Sequence, residues 1–254
     1  MKKEKLSRIF YYSLGLFLFF VVWKGGALIY KKDIILPQPE LVVRELISLA
    51  QSASFSKIIY GTIQRGLYAF FIAMILGVTV GIVSFLIPAF SIAIHPFMTL
   101  IRATPVVALI LLALIWFPST FVPVFSAILM SFPVITTSIY TGLTSVDGQY
   151  VEMMKAYRFL PFDQIRYLYI PTLKPFFFNA LQNTLSLTWK VVIAGEILSQ
   201  PVFAIGTEMN NARIMLETPK VFAWVLCGIF LCAVSDLFFY LLFRKAKWNL
   251  QSKT

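Results

Sequence analysis

Polar side chains recur along one apolar stretch of the sequence, residues 176–198. On a helix, with about 100° between successive residues, they fall within about 100° of one another. A polar side chain inside a membrane is costly unless it faces protein or water, so the stripe indicates either a solute pathway or hydrogen bonding between helices. Its members are Asn179, Gln182, Asn183, Ser186 and Lys190. We predict the pathway, because a lysine near mid-membrane needs an anion or water.

The same stretch contains one acidic residue, Glu196, six positions after Lys190. The two lie about 120° apart around the helix, so they cannot form a close pair within it. No acidic residue on another predicted span shares the depth of Lys190. Two alternatives remain open: Lys190 meets Glu196 of a second copy of the chain, or it attracts an anionic solute. We include Glu196 among the predicted pathway residues.

Two further charges lie within predicted spans. Arg102 lies about 9 Å from one end of its span, and Asp236 lies about 10 Å from the corresponding end of another. Their matched depths predict a structural Arg102–Asp236 ion pair. Pro105 follows in the same helix as Arg102 and predicts a kink, because proline removes a helical hydrogen bond.

Composition excludes a soluble domain. The chain has 254 residues, of which 59% are hydrophobic and 13% charged, so the bilayer must serve as solvent. The net charge of +11 indicates retention beside the membrane, with no role for nucleic acid, because the basic residues lie next to apolar spans. Neither a disulfide nor a metal site is predicted for Cys227 and Cys232.

Catalytic patterns are missing from the sequence. It contains no GxxxxGK[ST] phosphate-binding loop, no HExxH, no GxSxG and no cluster of His and Cys. We therefore predict no catalytic residue and no cofactor in this chain, which argues against a membrane-embedded enzyme. If ATP drives the protein, a partner chain binds the ATP and its Mg²⁺.

The apolar runs predict an all-α polytopic membrane protein with six transmembrane helices in a single domain, residues 1–254. Each run is close to the roughly 20 residues that cross a bilayer. The predicted spans are about 9–30, 67–87, 96–117, 121–143, 176–198 and 221–243. We interpret the first as a retained anchor; a cleaved signal peptide is the alternative. Residues 35–50 predict an amphipathic helix lying on the outer surface.

Basic residues give the orientation. With the N-terminus inside, the internal segments hold twelve Lys and Arg residues and the external segments six. The positive-inside rule then places both termini and residues 145–174 in the cytoplasm. The expected location is a bacterial-type cytoplasmic membrane, with multiple passes and lipid contact.

Residues 145–174 form a polar interruption between spans. Asp147 is a suitable N-cap for a first helix, and Pro161 suits the first turn of a second. Phe162 and Ile165 recur at helical spacing and form a knob suited to a groove in a soluble partner. A helix packed on the membrane surface is the alternative.

The spacing of this segment resembles the EAA loop of ABC-importer permeases. Glu152, Leu168, Ile170 and Pro171 fall on that pattern, with Pro171 nineteen positions after Glu152. Met154 stands where the pattern has alanine, and Arg158 stands where it has glycine. Glycine would permit a left-handed turn that arginine resists. The residues expected to couple to an ATPase are Glu152, Met154, Lys155, Arg158, Phe162, Ile165 and Pro171.

Motifs along most of the chain resemble one branch of these permeases, the nitrate/sulfonate/taurine-type family, which includes carriers of thiamine-precursor pyrimidines. They are Leu36-Pro37-Gln38-Pro39, Thr62-x-x-Arg65, Arg102-x-x-Pro105, Trp189-Lys190 with Glu196, and Phe222-Ala223-Trp224. The resemblance implies a type I importer made of two permeases, ABC ATP-binding subunits and an extracytoplasmic solute-binding protein. A transporter driven by an ion gradient is the alternative, but it leaves the loop spacing unexplained.

Overall fold

A computed structural model of the chain describes residues 2–30 and 32–251, with side chains described from 10 to 30 and from 32 to 241. The described residues confirm the all-α class. The helices are α1 (Lys2–Tyr30), α2 (Pro39–Gln51), α3 (Phe55–Leu86), α4 (Pro88–Ala103), α5 (Val106–Trp116), α6 (Val122–Thr144), α7 (Gly148–Ala156), α8 (Pro161–Gln164), α9 (Ile170–Ser199), α10 (Ile205–Ile214) and α11 (Thr218–Gln251). A π-helical turn, Ile165–Tyr169, joins α8 to α9.

Helix α6 forms the centre of the bundle and packs along both α3 and α9. The α3–α6 contact is close because α3 presents glycine there. A Cβ atom at Gly77 would lie 2.6 Å from Ile135 Cβ, and one at Gly81 would lie 2.8 Å from Ile139 Cβ. Small residues allow helix backbones to approach in this way in membranes. Helix α11 packs against α2, α9 and α10 on one side of this core.

The predicted span 96–117 is not one straight helix. It is divided between α4 and α5, whose axes differ in direction by 101°. Thr104 ends α4 in an extended conformation (φ −71°, ψ 126°), and Pro105 precedes α5. A residue before proline is driven out of the helical region, so Pro105 produces a break where the sequence predicted a kink.

Four helices are long and apolar enough to cross a membrane within the described ranges, and the bent α4–α5 pair would add a fifth. These four apolar segments are Phe10–Tyr30, Phe55–Leu86, Val122–Thr144 and Thr218–Leu241. Helix α9 has 30 residues but is not among them, since polar side chains interrupt it. The count of six spans therefore remains a prediction. Helix α3 also begins at Phe55, twelve residues before the predicted start of that span.

Helices α1 and α2 pack beside α11. The Trp23 indole N–H donates to the Pro37 carbonyl at 3.0 Å, and its ring stacks on Phe222. Lys24 donates to Glu40, and this hydrogen bond lowers the pKa of the Glu40 carboxyl. Val42 on α2 is fully buried. The predicted helix 35–50 is therefore present as α2, and its place on the outer membrane surface remains a prediction.

Candidate functional site

The polar stripe lies on α9, on the side facing away from the central core. Asn179, Asn183 and Lys190 are exposed, and Gln182 and Ser186 are half-buried. The opposite face of α9 is buried and contains Leu181, Thr184, Leu185 and Thr188. The described bundle thus leaves Asn179, Asn183 and Lys190 uncovered and partly covers Gln182 and Ser186.

Glu196 does not belong to that exposed stripe. Its side chain is fully buried, and Arg65 Nε donates to its Oε1 at 2.8 Å. Thr62 Oγ1 and the Gly206 N–H each donate to its Oε2 at 3.0 Å. The carboxylate is therefore satisfied within its own protomer. The prediction that it lines the pathway, or meets Lys190 of a second copy, is replaced by a buried ion pair.

The Arg65–Glu196 ion pair and its neighbouring hydrogen bonds stabilise the segment that connects α9 to α10. Arg65 Nη2 donates to the Phe203 carbonyl at 2.7 Å, and the Ile205 N–H donates to Thr62 Oγ1 at 3.0 Å. Gln200 and Phe203 both have positive φ, 49° and 52°, which is unfavourable for residues with a side chain. Because the hydrogen bonds hold the segment on both sides, it maintains this conformation.

Two glycines make the close approach possible. A Cβ at Gly61 would lie 2.2 Å from the Phe203 carbonyl oxygen, and one at Gly206 would lie 2.5 Å from Glu196 Cβ. From the sequence, Arg65 was noted only as part of the Thr62-x-x-Arg65 motif, and no helix was predicted for the region of α10. An acidic residue inside a membrane span requires a partner, and Glu196 was the signal that could have led to Arg65.

The predicted Arg102–Asp236 pair does not form. Among the residues with described side chains, the ion pairs are Lys24–Glu40, Arg65–Glu196 and Lys220–Glu217. Asp236 instead accepts a hydrogen bond from Ser186 at 2.7 Å. Arg102 lies in the last turn of α4, and its Nε donates to the Met98 carbonyl at 3.4 Å. The break before Pro105 ends the helix there, so the assumption of matched depth along a straight span does not hold.

The segment between α6 and α9 has the two predicted helices. The side chain of Asp147 accepts a hydrogen bond from the Gln149 N–H at 2.9 Å and thereby caps α7. Glu152 and Lys155 on α7 are exposed. Met154 is buried, so it holds α7 to the protein and is not accessible to a partner.

Helix α7 ends in a left-handed turn at Arg158, whose φ is 53°. The Arg158 N–H donates to the Lys155 carbonyl at 3.0 Å, and the Phe159 N–H donates to the Met154 carbonyl at 2.9 Å. These are the two hydrogen bonds of a Schellman motif, in which the left-handed position is usually glycine. Arginine therefore adopts the turn that glycine favours, at a cost of about 1 kcal/mol.

Helix α8 and the π-helical turn that follows it expose the two residues of the predicted knob. Phe162 is 67% exposed and Ile165 is 50% exposed. The π-helical turn follows at once, with the Ile170 N–H donating to the Ile165 carbonyl. Pro171 is the second residue of α9, two positions after the end of this turn. Its ring has no N–H and would clash with the carbonyl four residues earlier, so the helix widens before it. The chain then continues as α9 without interruption.

The base of this segment is packed into the bundle. Tyr169 contacts the Phe85 ring edge-to-face with centroids 5.7 Å apart. Tyr169 and Leu173 also pack against a buried cluster on α6 formed by Ile135, Ile139 and Leu143. The knob is thus exposed at its tip and fixed at its base.

Within the described ranges, no group of three or more His, Cys, Asp or Glu residues is placed to hold a metal ion. Cys227 and Cys232 are both free thiols.

Comparisons with known proteins agree with this architecture. One relative is the putative aliphatic sulfonates transport permease protein SsuC of Bacillus subtilis, which is 24% identical over 85% of this chain and 78% of that protein. Another is the formylaminopyrimidine transport permease protein ThiX of Halalkalibacterium halodurans, which is 26% identical over 83% of this chain and 84% of that protein. A third is the taurine transport system permease protein TauC of Escherichia coli, which is 24% identical over 87% of this chain and 82% of that protein.

Solved structures share the fold. A crystal structure of an amino acid ABC transporter with histidines matches 73% of this chain and 94% of its own, with a TM-score of 0.59 and 16% identity. An inward-facing structure of the MetNI methionine ABC transporter matches 81% and 97%, with a TM-score of 0.52 and 15% identity. The family model described as "Binding-protein-dependent transport system inner membrane component" matches residues 69–248 of this chain. With most of its length covered by that model, the chain belongs to this family of ABC-transporter permeases.

Proposed function

We propose that this permease is the membrane subunit of an ATP-driven importer for a small organic or inorganic solute. The solute is of the sulfonate, taurine, nitrate or thiamine-precursor pyrimidine kind, as the names of the relatives suggest. Two permease copies, separate ATP-binding subunits and an extracytoplasmic solute-binding protein complete the transporter. Family membership favours ATP over an ion gradient as the energy source.

The observation that carries the proposal is the continuity of the knob with the polar stripe. Phe162 and Ile165 lie at the start of a helical path that runs through the π-helical turn into α9. The stripe from Asn179 to Lys190 lies on that same α9. A partner that binds Phe162 and Ile165 therefore acts directly on α9, the helix that lines the proposed pathway.

The mechanism follows from this connection. Closure of the ATPase subunits on ATP would displace α7 and α8, which occupy the cytoplasmic side in our proposal. The contacts of Tyr169 and Leu173 with the α6 cluster make the base of the segment move with the bundle. Packed cores respond to such displacement by switching between discrete arrangements. Rotation or tilt of α9 would then alternate the access of the stripe between the two sides.

Truncating the knob should release the ATPase. We expect Phe162→Ala combined with Ile165→Ala to cost about 2 kcal/mol or more, roughly a thirtyfold loss of affinity, because apolar anchors dominate small interfaces. Glu152→Ala should cost less, up to about 1 kcal/mol, as an exposed charge does. The measurement is ATPase retention and substrate-stimulated hydrolysis in the purified complex.

Tyr60→Ala provides the matched control for this experiment. Tyr60 is 65% exposed, similar to Phe162, but lies near the start of α3, at the opposite end of the helix from Phe85, which contacts Tyr169. It should retain the ATPase fully. Full retention and normal stimulation in the double alanine variant would show that α8 is not the coupling element.

Labelling tests the orientation. In a chain with Cys227 and Cys232 replaced by alanine, Gln149→Cys should be protected from impermeant thiol reagents in intact cells, whereas Gln51→Cys should react. Both native side chains are exposed, so access depends on the side of the membrane. The excess of basic residues on one side predicts this result. Reaction of Gln149→Cys from outside would reverse the topology and remove the docking proposal.

A further inference from the structure

Helix α4 also carries a row of polar side chains, made of Ser91, His95, Thr99 and Arg102. At about 100° per residue, the four fall within about 80° of one another around the helix. His95, Thr99 and Arg102 are exposed, and Ser91 is half-buried. We refer to these four residues as the α4 stripe, which extends about 17 Å along the helix axis.

The rest of α4 is apolar and divides into two faces. Met98 is buried, and Ile94 and Ile101 are half-buried on the same side of the helix. Phe97 and Leu100 are 62% and 68% exposed and lie more than about 130° from His95 around the helix. An exposed apolar face on a membrane helix suits lipid, whose chains are as apolar as leucine. Helix α4 therefore has a lipid-facing side and a separate polar side.

The α4 stripe lies within the thickness of the membrane spans. Helices α3 and α6 run in the same direction, since Gly77 approaches Ile135 and Gly81, one turn further, approaches the next turn of α6. Both helices are long and apolar enough to cross a membrane, so α4 and α5, which connect them, must lead the chain back across. Val106, just beyond the stripe, packs against a cluster that includes Ala127, about 8 Å from the start of α6. The stripe lies deeper than this level.

At its end near the α4–α5 break, the stripe meets backbone groups that are also uncovered. The carbonyls of Arg102 and Ala103 accept no hydrogen bond in the described part of the chain, and both residues are exposed. Arg102 makes one long hydrogen bond, at 3.4 Å to the Met98 carbonyl. Lipid leaves such groups unsatisfied, so irregular backbone at membrane depth occurs where it is buried in protein or lines water.

We propose that the α4 stripe lines a water-filled part of the solute pathway, with Arg102 as its permanent cation. The inference rests on the proposed function and deepens it by adding His95, Thr99 and Arg102 to the lining. Polar and charged side chains at membrane depth face water or protein. A dry contact between the stripes of two copies is disfavoured, because a two-fold contact pairs like with like and would bring two Arg102 side chains together.

Cysteine reactivity tests the proposal on two neighbouring residues. In a chain with Cys227 and Cys232 replaced by alanine, Thr99→Cys and Leu100→Cys place thiols at similar depth, about 100° apart. Both native side chains are exposed. Reaction of the purified transporter complex with 2-sulfonatoethyl methanethiosulfonate, a charged thiol reagent, is measured without ATP in phosphatidylcholine nanodiscs, where both membrane faces are open to solution. We expect Thr99→Cys to react at least about tenfold faster, because the reactive thiolate forms in water and not in lipid.

His95→Cys and Phe97→Cys provide a second pair, about one turn earlier on α4 and about 160° apart. His95→Cys should react faster than Phe97→Cys for the same reason, and Arg102→Cys should react as Thr99→Cys does. Thermal unfolding of each variant shows whether its fold is intact. If a member of one pair unfolds, the other pair decides.

Two results would overturn the proposal. Equal reaction rates within the pairs would mean that α4 has no separate polar side. Disulfide formation between the Thr99→Cys thiols of two copies, together with slow reaction with the reagent, would assign the stripe to a dry contact between copies. Because reactivity is measured without ATP, its failure is distinct from failure of the Phe162 and Ile165 docking experiment.

Discussion

Arg65→Met should destabilise the permease by about 3–5 kcal/mol, because it leaves the Glu196 carboxylate buried without a counter-charge. The carboxylate is inaccessible to solvent, and its other ligands are the Thr62 hydroxyl and the Gly206 N–H. These neutral donors do not replace the guanidinium. The connection between α9 and α10 should also loosen, since Arg65 binds the Phe203 carbonyl. The measurement is the midpoint of thermal unfolding in nanodiscs, together with transport.

An exposed ion pair provides the control for Arg65. Lys220→Met breaks the Lys220–Glu217 pair, whose side chains are 32% and 46% exposed, and should cost at most about 1 kcal/mol. Combining Arg65→Met with Glu196→Met should recover part of the stability, because no buried charge then remains. Equal unfolding midpoints for Arg65→Met and Lys220→Met would mean that the Arg65–Glu196 pair contributes no more than a surface pair.

Gly66→Ala should also be strongly destabilising, although it adds one methyl group. A Cβ at Gly66 would lie 2.1 Å from the Trp189 ring. The ring cannot move aside freely, because its N–H donates to Ser235 Oγ at 2.8 Å and it is buried. Overpacking of this kind costs about 1–3 kcal/mol, more than the roughly 1 kcal/mol that alanine gains over glycine in a helix. Thermal unfolding of the purified complex measures the loss.

Gly15→Ala is the matched substitution on α1. A Cβ there would have no heavy atom within 4 Å, so helix propensity alone should leave stability unchanged or slightly higher. Replacing Trp189 with leucine in the Gly66→Ala chain should relieve the clash and recover part of the loss. If Gly66→Ala and Gly15→Ala unfold alike, Gly66 and Trp189 do not approach as closely as the structure indicates.

Much of the segment between α6 and α9 was predictable because its signals are local. Asp147 caps α7, and Pro161 begins α8, as their residue types indicated. The exposure of Phe162 and Ile165 also agrees with the predicted knob. Capping and helix initiation depend on a few neighbouring residues. Arg158 was harder, since the hydrogen bonds of the turn impose a positive φ on a residue that disfavours it.

The break between α4 and α5 shows a limit of periodicity. Pro105 predicted a disturbance, but its size was not determined by local sequence. A kinked helix and two separate helices whose axes differ by 101° are both compatible with proline at this position. Packing selected the second, because α5 buries Leu109, Ile110 and Ala113. The prediction of an Arg102–Asp236 ion pair was wrong because it assumed one continuous helix through residues 96–117.

The amino-acid sequence by itself determined the all-α membrane class, the polar face of α9 and the capped helices between α6 and α9, because hydropathy, helical period and capping act over short distances. Only the tertiary structure decided the partners of the buried charges. Arg65 and Glu196 are 131 positions apart and meet because close helix packing and Gly206 bring them together. Pairing across that distance depends on which helices become neighbours.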